Sequence, residues 1–117
     1  MKFGTAFLAA FLASLPWQVL PVAAQEIPFG SNVVVALPLS GCTDVNVMHR
    51  LSELLIMNDV EAAVALARRE GDRCRLFEAG MKAQAERSVR RHSLVCIRPR
   101  GEPDCFWYPS NYLRTVQ

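Results

Sequence analysis

Four cysteines, two histidines and a run of arginines are the residues of this 117-residue chain with chemistry to offer. Cys42, Cys74, Cys96 and Cys105 can serve as thiolate ligands, as nucleophiles or as crosslinks. A zinc site would need a C-x-x-C knuckle or a histidine at ligand spacing, and neither is present. An even count in a small exported chain reads instead as two disulfides. Oxidised sulfurs leave no nucleophile. His49 and His92 share no motif, and no Ser/His/Asp or Cys/His arrangement is formed. Asp44 with Glu53, and Asp59 with Glu61, read as helix caps and solvated faces rather than acid–base pairs. No glycine-rich phosphate loop occurs. The expectation is a protein without catalytic residues, metal or cofactor.

Two clusters could instead bind. Arg87, Arg90, Arg91, Arg98 and Arg100 fall on neighbouring strands or their connections. They read either as solvated edges that discourage association between sheets, or as a cationic patch for an anionic cell-wall polymer, lipid headgroups or an acidic protein face. The second cluster is Trp107, Tyr108 and Tyr112, with Pro109 and Asn111 between them. In a strand, alternation sets Phe106 and Tyr108 on one face and Trp107 on the other. One set is core. The other is either packed beneath helices or exposed as a binding platform.

The address comes from the N-terminus. Lys2 precedes an apolar run, Phe3 to Leu15, which Pro16 breaks. Small residues at Val22-Ala23-Ala24 offer a cleavage site. This is the pattern of a secretory signal peptide over residues 1–24. The run is short against the ~20 residues a span needs, so no stable membrane span is expected after cleavage. Of the 13 basic side chains, only Lys2 leaves with the leader, so 12 remain against 11 acidic ones. That balance, with a periplasmic or secreted location, excludes nucleic acid as a partner.

Residues 25–117 are expected to form one disulfide-stabilised domain. Val33 to Leu37 reads as a first strand stopped by Pro38, and Leu39-Ser40-Gly41 as a turn. Thr43 or Asp44 caps a helix with an apolar stripe at Val45, Met48, Leu51, Leu54 and Leu55. Asn58 and Glu61 suggest a capping box for a second helix striped by Val60, Ala63, Val64 and Ala67. Gly71 ends it. The helical hairpin thus spans residues 43–71. Beyond Cys74 the period changes. Met81, Ala83 and Ala85 alternate with Lys82, Gln84 and Glu86, and Arg87 to His92 reads as a connection. Leu94 to Arg98 and Cys105 to Tyr108 flank a turn rich in proline and glycine.

Three disulfide pairings are formally open. Antiparallel helices joined by a tight turn bring their outer ends together, and these carry Cys42 and Cys74. The later hairpin sets Cys96 across from Cys105. The expected pairs are therefore Cys42–Cys74 and Cys96–Cys105, closing loops worth roughly 3.5 and 2.5–3 kcal/mol.

The stretch W-Y-P-S-N-Y-L, Trp107 to Leu113, resembles the end of Src-homology-3 domains, where a hydrophobic pair precedes P-S-N-Y. Leu94 to Arg98 with the following turn looks like that family's central strand and distal hairpin. Leu76 to Ala85, centred on Gly80, looks like the strand–turn–strand before it. The resemblance covers about Arg73 to Val116. It implies an α+β chain: a small Src-homology-3-like (SH3-like) β-barrel, with the two-helix hairpin inserted after the first strand. Members of this family hold proline-rich segments between aromatic side chains. Only Pro109, Asn111 and Tyr112 carry that groove over. Val33 to Leu37 lacks tyrosine, and Leu94 and Val95 stand where paired tryptophans would be. The resemblance implies a non-catalytic exported binding module for cell-wall material such as peptidoglycan, or for a periplasmic protein. A small enzyme inhibitor using the 99–104 hairpin tip is the alternative.

Overall fold

The structure, a computed structural model, describes residues 27–89 and 93–116. The leader at 1–24 and residues Arg90, Arg91 and His92 lie outside this range. The elements in order are β1 (Asn32–Val35), β2 (Leu39–Cys42), α1 (Val45–Ile56), α2 (Val60–Glu70), β3 (Cys74–Phe77), β4 (Lys82–Val89), β5 (Leu94–Pro99), β6 (Phe106–Pro109) and β7 (Leu113–Thr115). One turn of 3₁₀ helix, Ser110–Tyr112, joins β6 to β7. The fold is α+β. Its seven strands form one antiparallel sheet in the order β3-β2-β6-β5-β4-β1-β7. The outer strands β3 and β7 are not paired with each other, so the sheet is open.

The sheet has an apolar cluster on each face. One gathers Val33, Val35, Phe77, Ala85, Val95, Ile97, Phe106 and Tyr108. The other lies beneath the helices and gathers Met48, Leu51, Leu54, Leu66, Leu94, Trp107 and all four cysteines. Strands β5 and β6 feed both, because successive side chains of a strand point to opposite faces. Val95 and Ile97 go one way, Leu94 and Cys96 the other. Phe106 and Tyr108 go one way, Trp107 the other.

Both expected disulfides form, Cys42–Cys74 and Cys96–Cys105. The first joins directly paired residues of β2 and β3 at the base of the helical hairpin. Leu39-Ser40-Gly41 is therefore strand, not turn, and the helices are inserted after the second strand rather than the first. Gly41 makes this possible. A Cβ there would lie 2.9 Å from Phe77 Cε1 and 3.2 Å from the Trp107 carbonyl oxygen.

Asp44 caps α1, its carboxylate accepting from the Asn46 amide at 2.8 Å. For α2 the cap is Asp59, which accepts from the Ala62 amide, and not Asn58. Asn58 has a φ of 64° and makes the turn between the helices. The buried face is also centred differently from the expected stripe. Ala63 and Leu66 are buried, whereas Val60 and Val64 are 54% and 44% exposed. Alanine and leucine three apart let α2 lie close on α1 and β3.

Arg87 to Val89 belong to β4 and are not a connection. Ala85 faces Ile97 and Arg87 faces Cys96, so Glu86 is an extra residue, a β-bulge. Strict alternation after Ala85 would turn Arg87 into the core. The bulge turns it out instead.

Two stability outcomes follow. Replacing Cys42 and Cys74 together by serine is expected to cost about 3.7 kcal/mol, and replacing Cys96 and Cys105 about 2.6 kcal/mol, from the loop lengths. The first pair should therefore lower the denaturation midpoint more in urea unfolding. Gly41→Ala should cost about 1–3 kcal/mol by overpacking against the Phe77 ring. An unchanged midpoint would show that β2 does not pack as described.

Candidate functional site

The aromatic platform does not form. Trp107 is 6% exposed and Tyr108 fully buried. Burial follows from the two-sided packing of β6. Tyr108 meets Phe77 at 5.2 Å between ring centroids, and its hydroxyl donates to the Leu37 carbonyl at 2.6 Å. Loss of water around the ring pushes the phenol pKa up. Trp107 lies under α1, with the Arg87 guanidinium 5.4 Å from its ring. Arg87 Nη2 also reaches Cys105 Sγ at 3.4 Å.

The groove residues carried over by resemblance are only partly open. Pro109 and Tyr112 are half-buried and Asn111 is exposed. The Tyr112 ring stands edge-on to Tyr108, at 6.4 Å. Its carbonyl accepts from the amides of Ala36 at 2.8 Å and Leu37 at 3.3 Å.

Of the expected arginine cluster, Arg98 and Arg100 line one groove, whereas Arg87 does not join them. Arg87 is committed to Trp107, and Arg90 and Arg91 lie outside the described residues. Arg98 grips Glu86 with two nitrogens, Nη2 lying 2.9 Å from Oε1, and its Nη1 donates to the carbonyls of Glu102 and Pro103. The Glu102 carboxylate takes Arg75 at 2.7 Å. The 99–104 tip is thus braced from β5 and β3 and closed below by Cys96–Cys105. The hydrogen bond from Arg98 holds the Glu86 carboxyl below its usual pKa. Arg100 remains exposed.

A different set of cations comes together. The helices pack on β2, β3 and β6, leaving the opposite half of that sheet face uncovered. There Val34 pairs with Lys82 on one side and Arg114 on the other. Both cations are exposed. In the next row Asn32 pairs with Gln84, which pairs with Arg98. A groove of about 520 Å³ runs along this face to the hairpin tip, lined by Asn32, Lys82, Gln84, Arg100, Gly101 and Val116 among others. Among the described residues, Lys82, Arg100 and Arg114 have no carboxylate partner. Residue types alone do not reveal this set. Lys82 is visible as the solvent side of an alternating strand, but its neighbourhood with Arg114 depends on both pairing with β1.

His49 lies 3.6 Å from Glu53 on the same helix. Among the described residues no three His, Cys, Asp or Glu side chains gather as a metal would require. Among them, too, no helix is long and apolar enough to cross a membrane.

Because the folded-state pKa of Glu86 is depressed, its contribution is present above about pH 4.3, the ordinary glutamate value. It is lost as pH falls through the lower folded value. Urea unfolding across an acid series should show this loss in the wild type and a shallower pH dependence in Glu86→Gln. Equal slopes would mean that the Arg98 contact contributes nothing.

No protein-family model, no curated protein and no solved structure matches the chain.

Proposed function

We propose that this chain is an exported, non-catalytic binding module on a Src-homology-3-like barrel, and that its ligand is anionic cell-wall material. The observation that carries the reading is the open cationic groove between β1, β4 and the hairpin tip, where Lys82 and Arg100 are exposed and, among the described residues, have no carboxylate partner. Such cations on a sheet face lined by amide side chains suit an anionic, hydrogen-bonding ligand.

Further support comes from the connectivity. β1 pairs with both β4 and β7, the strands β4 to β6 form a meander, and a 3₁₀ turn at the P-S-N-Y stretch returns the chain to β1. A barrel of the Src-homology-3 type uses such an order. Export is supported by the leader pattern and by two oxidised cysteine pairs. The aromatic groove of the peptide-binding members is replaced here by packing. Trp107 and Tyr108 accordingly drop out of the contact surface, and Pro109, Asn111 and Tyr112 keep at most its rim.

The inhibitor reading is favoured by one observation, the bracing of the 99–104 tip by Arg98, Arg75 and a disulfide. A rigid loop loses little entropy on entering a cleft.

Co-sedimentation with purified peptidoglycan sacculi tests the first reading. The mature chain should pellet with them at low salt and be released as salt shortens the Debye length to about 3 Å near 1 M. A chain left in the supernatant at every salt concentration defeats it. Exchanging only 102–104 for a Gly/Ser segment, with Arg100 kept, should leave pelleting largely intact, whereas inhibition of a periplasmic hydrolase abolished by that exchange would support the alternative.

A further inference from the structure

We infer that the uncovered face of β7, β1 and β4 takes a linear carboxylated polysaccharide, laid across the strands. This rests on the binding-module reading and names the polymer class. Lys82 and Arg114 are both registered on Val34, from opposite sides. Their backbones therefore stand two strand spacings apart, about 10 Å. That distance is close to the length of a disaccharide, so a polymer with one carboxylate per repeat can meet both cations. Phosphodiester chains carry charge at shorter intervals and would leave charges between them unmatched.

The surroundings fit a sugar chain. Val34, half-buried between the cations, offers an apolar surface for the C–H face of a ring. One pleat repeat along, Asn32 and Gln84 stand side by side. The Gln84 side-chain nitrogen donates to the Gly30 carbonyl at 3.3 Å, which turns its oxygen free to accept from a hydroxyl. Arg100 closes the far end of the groove with a third cation. The glutamate on this face, Glu86, is neutralised by Arg98 and repels little. A lipid surface fits less well, since Val34 is only half-exposed and its cross-strand neighbours Lys82 and Arg114 are cations.

The test uses the mature chain and hyaluronan, which carries one carboxylate per disaccharide, as probe, with neutral dextran, inorganic polyphosphate and phosphatidylglycerol vesicles as comparisons. Hyaluronan should bind, and dextran should not. The double substitution Lys82→Glu, Arg114→Glu should weaken binding by about tenfold or more, the scale of losing two charge-assisted contacts. Its melting temperature should be unchanged, because both side chains are exposed. Arg68→Glu with Arg69→Glu, at the end of α2, should bind as the wild type does. Binding of polyphosphate or vesicles in preference to hyaluronan overturns the inference, as does full binding by the Lys82/Arg114 variant. If that variant still pellets with sacculi, this face is wrong and the module reading stands. If the wild type pellets with no sacculi, the module reading has failed first.

Discussion

The structure depends on one ribbon, β5 and β6, being buried on both faces. A strand supplies side chains alternately to two sides, and in most small antiparallel sheets one side is wet. Here both are dry. Phe106 and Tyr108 enter one cluster with Phe77 and Ile97, while Trp107 and Cys96 enter the other with Met48 and Leu51. A one-residue slip of β6 would exchange the two sets. The register is held by Cys96–Cys105 at one end and by the Tyr108 hydroxyl on Leu37 in the interior.

The helical hairpin follows from this demand. Trp107, Leu94 and the four cysteines need a cover, and α1 and α2 supply one from Met48, Leu51, Leu54, Ala63 and Leu66. Cys42–Cys74 anchors that cover at its base, directly beneath the Gly41 close approach. The cover reaches only part of the sheet. What it leaves open is the half made by β1, β4 and β7, whose outward side chains, Val34 apart, are largely polar or cationic. The candidate binding face is thus the complement of the helical footprint.

Charges are sorted by the same geometry. The bulge at Glu86 places two successive residues of β4 outward. One meets Arg98 and locks the hairpin tip, and the next, Arg87, closes over Trp107. Two of the arginines are therefore mechanical parts. On the uncovered face, the cations without a described carboxylate partner are Lys82, Arg100 and Arg114.

Much of the architecture was legible in the chain. Cysteine count, helical stripe and turn residues led to the crosslinks, because each relies on neighbours in sequence and on standard element geometry. The readings that failed depended on distant partners. Leu39 to Gly41 looks like a turn because glycine and serine usually make one. It is a strand because Phe77 needs room and β3 is there to pair with it. Of the expected stripe Val60, Ala63, Val64 and Ala67, Ala63 is buried and Ala67 half-buried, but Val60 and Val64 face water, because the packed face of α2 centres on Ala63 and Leu66. The signal for Arg87 was hidden by a bulge, which no local pattern announces. The sequence by itself determined the oxidation pattern, the helices and the alternation of β5 and β6, since these are set by side-chain type and period. Only the tertiary structure decided which face of that alternation is covered and which cations stand together. Lys82 and Arg114 are neighbours solely because both pair with β1, and pairing between distant strands is settled by packing of the whole sheet.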